Sequence, residues 1–241
     1  MKSTEIPEKY IWQYPKKVST AWKQSIADEF NIHPVIAEVL VSRNFNQLQE
    51  IYSFLYSKLP DLISPNLLLG MEKAVQRTIK ALNLNEGILI FGDNDVDGIT
   101  GTTLLVEFLK SIGGNVSYFI SSKSVSNQLL LTNALDFAIQ KNCKLLITVD
   151  CGITAANEIN DFLERSIDVI ITDHHEPTHK IPRCIATLNP KLINSDYPNR
   201  DLTGVGVAFK LAHAITNTLV ECGKISASQI DLKRFLDLVA L

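Results

Sequence analysis

The sequence lacks the features that mark several common classes of protein. It has four cysteines but no CxxC pair, a pattern that fits reduced thiols better than a disulfide framework. No apolar run approaches the roughly 20 residues that a membrane span needs, and no signal-like apolar region follows the first residues. Basic residues are not in excess, because 23 lysines and arginines stand against 26 acidic residues. We therefore expect a cytoplasmic globular protein whose net charge of −3 does not itself indicate nucleic-acid binding.

The predicted elements divide the chain into two regions. Residues 1–84 are predicted to form a polar arm, anchored through Trp12 and Tyr14, followed by short helices up to residue 59 and an amphipathic helix at 71–84. From residue 85 to 241, apolar strand-like runs alternate with helical patterns. Strands are predicted at 88–92, 115–120, 144–149, 167–171 and 185–188. This order predicts an α/β fold, a mainly parallel β-sheet with helices on both faces, preceded by a helical N-terminal extension.

Helices are predicted between these strands. The patterns indicate helices at 100–112, 131–141 and 154–165, with Thr154 as the N-cap of the last one. A further helix is predicted to begin near Gly204 and to run to about Val220.

Acidic clusters follow three of the predicted strands directly. The first cluster contains Asp93, Asp95 and Asp97, and the second contains Asp150. The third is the triplet Asp173-His174-His175. Because ligand sites in parallel sheets lie outside the carboxyl ends of the strands, we expect the three clusters to converge at one edge.

The first cluster has two interpretations. Its carboxylates lie so close in sequence that they would repel one another unless a cation neutralised them. The DxDxDG spacing resembles a calcium loop, but the twelfth position is Leu104 rather than glutamate, which argues against an EF-hand. The alternative is a solvated turn whose aspartates cap a helix, and Asp150 could likewise be a helix cap.

The histidines make metal binding the favoured interpretation. Nitrogen ligands beside carboxylates favour Mn²⁺, and Mg²⁺ is also compatible with such a set. Since neighbours in an extended segment point in opposite directions, one histidine is predicted to bind metal and the other to face the substrate or a second ion. A carboxylate-rich site with room for two ions suits hydrolysis at phosphorus.

Other chemistry is less well supported by the sequence. Cys151 has no evident basic partner, so a thiol nucleophile is not indicated. The turn Gly204-Val205-Gly206 has two interpretations that remain open, presentation of backbone N–H groups to a phosphate or tight packing of a helix against the sheet.

The order of these segments resembles a known family. GDNDVDG, ITVDCGI, ITDHHEP and LTGVGVAFKL are similar to the four motifs of the DHH phosphoesterase superfamily in its RecJ branch, the bacterial 5′→3′ exonucleases specific for single-stranded DNA. The lead-in before residue 84 also resembles that branch. The resemblance implies four metal ligands, namely Asp95, Asp97, Asp150 and His174. It places Asp93, Asp173 and His175 beside them as catalytic candidates, with His175 against the scissile phosphate and the Gly204–Gly206 segment on the DNA path.

The chain departs from the family pattern in two places. Where the branch usually has PxRxxEGYG, residues 121–129 read SSKSVSNQL, with Lys123 in place of the arginine as a substrate-binding candidate. The chain also stops at Leu241, before the family's last metal-binding aspartate, so we expect a domain truncated at its C-terminal end.

The resemblance implies an enzyme that uses Mn²⁺ or Mg²⁺ at a two-metal site. It would digest single-stranded DNA in repair and recombination, together with single-strand-binding protein and a helicase. Two alternatives remain open. One is a DHH phosphodiesterase acting on short oligonucleotides or cyclic dinucleotides, and the other is a non-catalytic RecJ-like scaffold.

Overall fold

The computed structural model describes residues 18–120, 127–226 and 228–241. These residues belong to two compact units, one ending at Leu62 and one beginning at Ile63. Trp12, Tyr14 and Lys123, to which the sequence assigns anchoring and substrate binding, lie outside the described residues. No helix within the described part of the chain is long and apolar enough to cross a membrane.

The first unit consists of three short helices, α1 (Thr20–Phe30), α2 (Pro34–Ser42) and α3 (Leu48–Tyr56). Helix α2 begins at a proline, whose missing N–H costs nothing in the first turn, and the His33 ring caps it by accepting a hydrogen bond from the Val35 N–H. The predicted breaks near Pro34 and around residues 44–46 are therefore present. The unit has its own apolar core, made of Ile26, Ala27, Phe30, Ala37, Leu40 and Ile51.

The second unit is built around five parallel strands in the order β2-β1-β3-β4-β5. The strands are β1 (Gly87–Gly92), β2 (Asn115–Ile120), β3 (Cys143–Val149), β4 (Asp168–Thr172) and β5 (Ala186–Leu188). The helices are α4 (Met71–Asn83), α5 (Val96–Ser111), α6 (Asn127–Gln140), α7 (Ala156–Glu164), α8 (Gly204–Glu221) and α9 (Leu236–Ala240). All five predicted strands are present, within one residue at each end.

Apolar side chains alternate between the two faces of the sheet along each strand, so both faces pack against helices. Leu89, Leu146 and Val169 pack with α6 and α7 in one apolar cluster. Their neighbours Ile90 and Ile147 point to the other face, which α4, α5 and α8 cover, and both are fully buried. The predicted fold class, a parallel sheet with helices on both faces and helices before it, is therefore confirmed. The domain boundary predicted after residue 84 stays a prediction, and α4 belongs to the unit that holds the sheet.

Three helix starts differ from the predictions. Helix α6 begins at Asn127, four residues before the predicted 131, and the starts of α5 and α7 differ for local reasons. Helix α5 begins at Val96, four residues earlier than the predicted 100, because the Asp95 carboxylate accepts a hydrogen bond from the Gly98 N–H and caps it. The prediction that Thr154 caps α7 is wrong, since that helix begins at Ala156 and Ala155, its N-cap, makes no side-chain cap bond.

Candidate metal centre

The register of the sheet aligns the ends of four strands. Gly92 lies opposite Val149, Val149 opposite Thr172, and Thr172 opposite Leu188. The residues that come next are therefore Asp93, Asp150, Asp173 and Asn189, which form one row at the carboxyl edge of the sheet. The backbone ladder continues into this row, because the N–H groups of the three aspartates donate to the carbonyls of Val149, Thr172 and Leu188. The convergence of the acidic clusters is thus a result of strand register.

Two groups of side chains in this region can each hold a cation. Ligand atoms of Asp93, Asp95 and Asp150 lie within 4.8 Å of one another, and so do those of Asp150, His174 and His175. Asp150 belongs to both groups, which is the arrangement expected of a carboxylate placed between two ions. Nε2 of His174 lies 3.1 Å from Oδ1 of Asp150.

Asp150 is a buried carboxylate that a bound cation would stabilise. It is 1% exposed, and its Oδ1 makes no hydrogen bond of good geometry within the described part of the chain. Burial, followed by the charges of Asp97 and Asp95, raises its pKa from the ordinary 3.8 to about 8. A cation bound at Oδ1 would remove this penalty, so the donor set fits a hard divalent metal ion.

The backbone at Asp150 is unusual as well. Its φ is +60°, in the left-handed region that aspartate tolerates better than most residues. The Thr148 hydroxyl donates to the Cys151 carbonyl at 2.8 Å, and the Thr172 hydroxyl donates to the Thr148 carbonyl at 2.6 Å. These two buried threonines hold the turn that carries Asp150.

Asp97 reaches the centre from the first turn of α5 and is held by α8. Its Oδ2 accepts a hydrogen bond from the Gly204 N–H at 2.7 Å, and its Oδ1 accepts one from the Val205 N–H at 2.6 Å. Nε2 of His174 lies 3.6 Å from Oδ2 of Asp97. Each carboxylate oxygen has a second lone pair, so Asp97 keeps acceptor capacity on the side of His174.

Asp173 is occupied by bonds inside the protein. Its Oδ2 accepts from the Ile153 N–H at 2.9 Å. Its Oδ1 accepts from the N–H groups of His174 and His175, and lies 2.8 Å from Nδ1 of His175. Asp173 therefore joins the β3 and β4 loops and orients the His175 ring.

The glycines at the start of α8 serve close packing. The Gly204 N–H is bonded to Asp97, and the Gly206 N–H donates to the Thr203 hydroxyl at 3.2 Å. A Cβ on Gly204 would lie 2.5 Å from Oδ1 of Asp150. Of the two interpretations of this turn, the geometry favours helix packing, since both N–H groups already have acceptors. Phosphate binding at these glycines stays a prediction.

A cavity of about 250 Å³ adjoins the second ligand group. Its lining includes Phe91, Leu131, Cys151, Ile153 and His175. The pKa of the Cys151 thiol is raised well above its ordinary value, first by burial and then by the charge of Asp173. A raised thiol pKa agrees with the sequence-based conclusion that Cys151 is not a nucleophile.

The sequence-based predictions did not include several residues that hydrogen-bond to the loops of the centre. Asn189 is fully buried and donates from Nδ2 to the His175 carbonyl at 2.9 Å. The same rule that found the aspartates, a polar residue directly after an apolar strand, would have found Asn189 after β5. The supporting threonines, Thr148 and Thr172, carried no comparable signal because threonine is common within strands.

Comparison with known proteins places the chain in a family. Residues 87–241 match the DHH family, N-terminal domain. The single-stranded-DNA-specific exonuclease RecJ of Bacillus subtilis (strain 168) is 36% identical over 196 residues, which cover 81% of this chain and 25% of that protein. The chain thus spans about a quarter of the length of this relative.

Solved structures agree with the sequence comparison. The crystal structure of RecJ in complex with Mn²⁺ from Thermus thermophilus matches with a TM-score of 0.67 at 29% identity, over 92% of this chain and 30% of that chain. The Mg²⁺ complex of RecJ from the same organism matches with a TM-score of 0.55 at 26% identity, over 92% of this chain and 26% of that one. The resemblance to RecJ is thereby confirmed, and the chain belongs to the DHH family, whose N-terminal domain it carries.

Proposed function

We propose that the protein to which this chain belongs is a metal-dependent exonuclease that digests single-stranded DNA from the 5′ end, in DNA repair and recombination. The observation that carries the proposal is the pair of ligand groups that share Asp150 at the carboxyl edge of the sheet. The preference for single-stranded DNA rests on the similarity to RecJ relatives, and the direction of digestion rests on the resemblance of the four motifs to the RecJ branch.

The donor set suits Mn²⁺ or Mg²⁺. Carboxylate oxygens are ligands for either ion, and imidazole nitrogen favours Mn²⁺ of the two. Both ions occur in the RecJ structures that this chain resembles. Bound ions would supply a water of lowered pKa and would stabilise charge on the phosphate.

We propose the following division of roles among the side chains. Asp93, Asp95 and Asp150 would hold one ion, while Asp150 and His174 would hold the other, with Asp97 beside His174. The resemblance implies a place for Asp93 beside the metal ligands, and its membership of a ligand group supports a more direct role. Asp173 would act by orientation, because its Oδ1 is bonded to the N–H groups of His174 and His175 and to the His175 ring, and its Oδ2 is bonded to the Ile153 N–H.

His175 is proposed to face the scissile phosphate. Its Nδ1 is engaged with Asp173, so Nε2 is the ring atom left for a phosphate oxygen or an ion. Its ring is half exposed at 55%, as a substrate-facing group must be. The contact with Asp173 favours the tautomer that carries the proton on Nδ1.

The substrate and partners of the whole protein are proposals of the same kind. Single-stranded DNA is the proposed substrate, with single-strand-binding protein and a helicase as proposed partners and the cytoplasm as the proposed location. Lys123, in the segment outside the described residues, is proposed to contact a phosphate of the DNA.

The test compares digestion of 5′-labelled and 3′-labelled single strands by this chain and by the longest product of its gene. Reactions contain Mn²⁺ or a chelator, and the variants are Asp150→Asn and the exposed control Asp161→Asn. We expect Mn²⁺-dependent release of 5′ mononucleotides that Asp150→Asn abolishes and Asp161→Asn leaves unchanged.

Two other results would replace the proposal. Hydrolysis of dinucleotides or cyclic dinucleotides, with long strands left intact, would assign a small-substrate phosphodiesterase. Binding of DNA or of a protein partner without any turnover, in a product that binds Mn²⁺, would assign a scaffold.

A further inference from the structure

Asn189 lies in the same row as the acidic residues but belongs to neither ligand group. It follows β5 as Asp173 follows β4, and it is fully buried. We propose that Asn189 is a positioning residue for His175, which it holds at the backbone carbonyl, while Asp173 holds the ring and the N–H. The inference deepens the proposed function, because it rests on the placement of His175 in the metal centre.

Both ends of the Asn189 amide are used, which fixes its orientation. Nδ2 donates to the His175 carbonyl at 2.9 Å, and Oδ1 accepts from the Lys191 N–H at 2.8 Å. A carbonyl can only accept and an N–H can only donate, so the reverse orientation of the amide would lose both bonds. The side chain therefore joins the turn after β5 to the histidine loop in one arrangement.

The turn holds the histidine loop at further points. The Leu188 carbonyl accepts from the Asp173 N–H at 3.0 Å, and Lys191 pairs with Glu176 at 3.3 Å. The Lys191–Glu176 pair lies at the surface, with Glu176 80% exposed, so it contributes little to the position of the loop. Asn189 is the buried member of this set, and its bond reaches the peptide of His175 directly.

Two attachments on one residue restrict the His175 ring more than either does alone. Asp173 holds the ring through Nδ1 and also accepts from the His175 N–H, but it makes no bond to the carbonyl end of the residue. The Asn189 bond restrains that backbone at the His175 carbonyl. Loss of the Asn189 donor would remove the bond that the His175 carbonyl accepts and would release that end of the residue.

A purely structural role for Asn189 can be separated from this one. The bond from Lys191 stabilises the turn, whereas the bond to His175 positions the histidine. Asn189→Asp keeps an acceptor for the Lys191 N–H but removes the donor to the His175 carbonyl. Asn189→Ala removes both bonds. Asn199→Ala is the matched control, because the Asn199 Oδ1 accepts from the Asp201 N–H in a similar turn at an exposed position.

The first readout is the NMR signal of the His175 ring in the metal-free chain. It is assigned by its loss in His175→Ala and compared with the ring signals of the other four histidines. We expect Asn189→Ala and Asn189→Asp to shift or broaden the His175 signal, with little change at His213 and His33. Asn199→Ala should move none of them.

Several outcomes would overturn the proposal. An unchanged His175 signal in both variants would show that Asn189 does not position it. A shift of all histidine signals would show a general role in folding. A wild-type signal in Asn189→Asp beside a shifted one in Asn189→Ala would assign the effect to the turn.

The second readout is the Mn²⁺ dissociation constant of the same variants. His175 belongs to the ligand group of Asp150 and His174, so in the metal-bound chain without DNA its Nε2 can bind the ion. Residues that orient a metal ligand commonly contribute a factor of about 10 to 100 in affinity, and we expect about tenfold weaker binding for Asn189→Ala. In a His175→Ala background the same substitution should change affinity less than about twofold. Equal losses in both backgrounds would contradict action through His175. None of these readouts requires DNA hydrolysis, so failure of the exonuclease proposal is distinguishable from failure of this one.

Discussion

The carboxylate of Asp97 is bound by the backbone of Val205, whose N–H lies 2.6 Å from Oδ1. The Gly204 N–H donates to the other oxygen, so the first turn of α8 surrounds a negative charge. N–H groups at a helix N-terminus carry partial positive charge, which offsets part of the repulsion among the aspartates. Helix α8 therefore stabilises the acidic edge of the sheet in the absence of a cation.

Asp97→Asn should destabilise the metal-free protein. The variant loses one of two charge-assisted bonds and the favourable interaction with α8, together about 1–2 kcal/mol. Removal of the charge also relieves repulsion of Asp150, but we expect the direct bonds to dominate because they are short. Urea unfolding in chelator measures the effect against the exposed control Asp161→Asn. Equal stability of the two variants would contradict this account.

Stability of the metal-free chain should fall as the pH rises from about 4 to about 8. The pKa of Asp150 is raised from 3.8 to about 8, so between these values the folded state binds more protons than the unfolded state does. Under that condition stability decreases with rising pH, the opposite of the usual behaviour of a paired carboxylate. Asp150→Asn should flatten the profile, and saturating Mn²⁺ should do the same. A profile that is flat in the metal-free wild-type chain would refute the explanation.

Gly204→Ala and Gly206→Ala should differ sharply. A Cβ at Gly204 would approach Oδ1 of Asp150 to 2.5 Å, whereas a Cβ at Gly206 would meet the flexible side chain of Leu202 at 2.8 Å. Overpacking against the fixed carboxylate should cost about 1–3 kcal/mol and weaken Mn²⁺ binding at least about tenfold. Gly206→Ala should leave Mn²⁺ affinity nearly unchanged. Isothermal titration with Mn²⁺ decides between them, and similar affinities for the two variants would contradict the expectation.

Arg77 should matter for stability without affecting the metal centre. It lies at the opposite edge of the sheet, where it pairs with Glu86 at 2.7 Å and with Asp168 at 2.5 Å, and donates to the Lys144 carbonyl. Arg77→Met would leave two carboxylates without their cation, at a cost of about 3 kcal/mol; the 41% exposure of Asp168 keeps this below the upper end for buried pairs.

Urea unfolding of Arg77→Met and Mn²⁺ titration together check this expectation, with Arg77→Lys as the milder variant. A loss of Mn²⁺ affinity larger than about threefold in a folded Arg77→Met protein would show that the two edges are coupled.

The sequence was sufficient to predict the sheet and most of the side chains at its acidic edge, because both depend on apolar runs and on the residues that directly follow them. The five predicted strands are all present. The position of Asp93, Asp150 and Asp173 was predictable too, because a residue directly after a parallel strand lies at the carboxyl edge of the sheet. Relationships across the chain were not predictable in this way. The bond between Asp97 and α8 joins residues 107 apart, and neither partner carries a local signal for the other. The early start of α5 was missed because the predicted start at residue 100 did not use the alternative interpretation of the first cluster, in which its aspartates cap a helix; Asp95 is that cap.

The proposed ligands follow strands β1, β3 and β4, which are separated by long stretches of chain and meet only after the parallel sheet has formed. Pairing between such distant segments forms slowly, because the loops must close before contacts compensate for the lost entropy. An unfolded chain therefore offers no preformed site that could bind a cation. We expect saturating Mn²⁺ to slow unfolding and to leave the folding rate nearly unchanged, as stopped-flow measurements can determine. A folding rate that rises with Mn²⁺ concentration would instead show that the acidic loops meet before the sheet is complete.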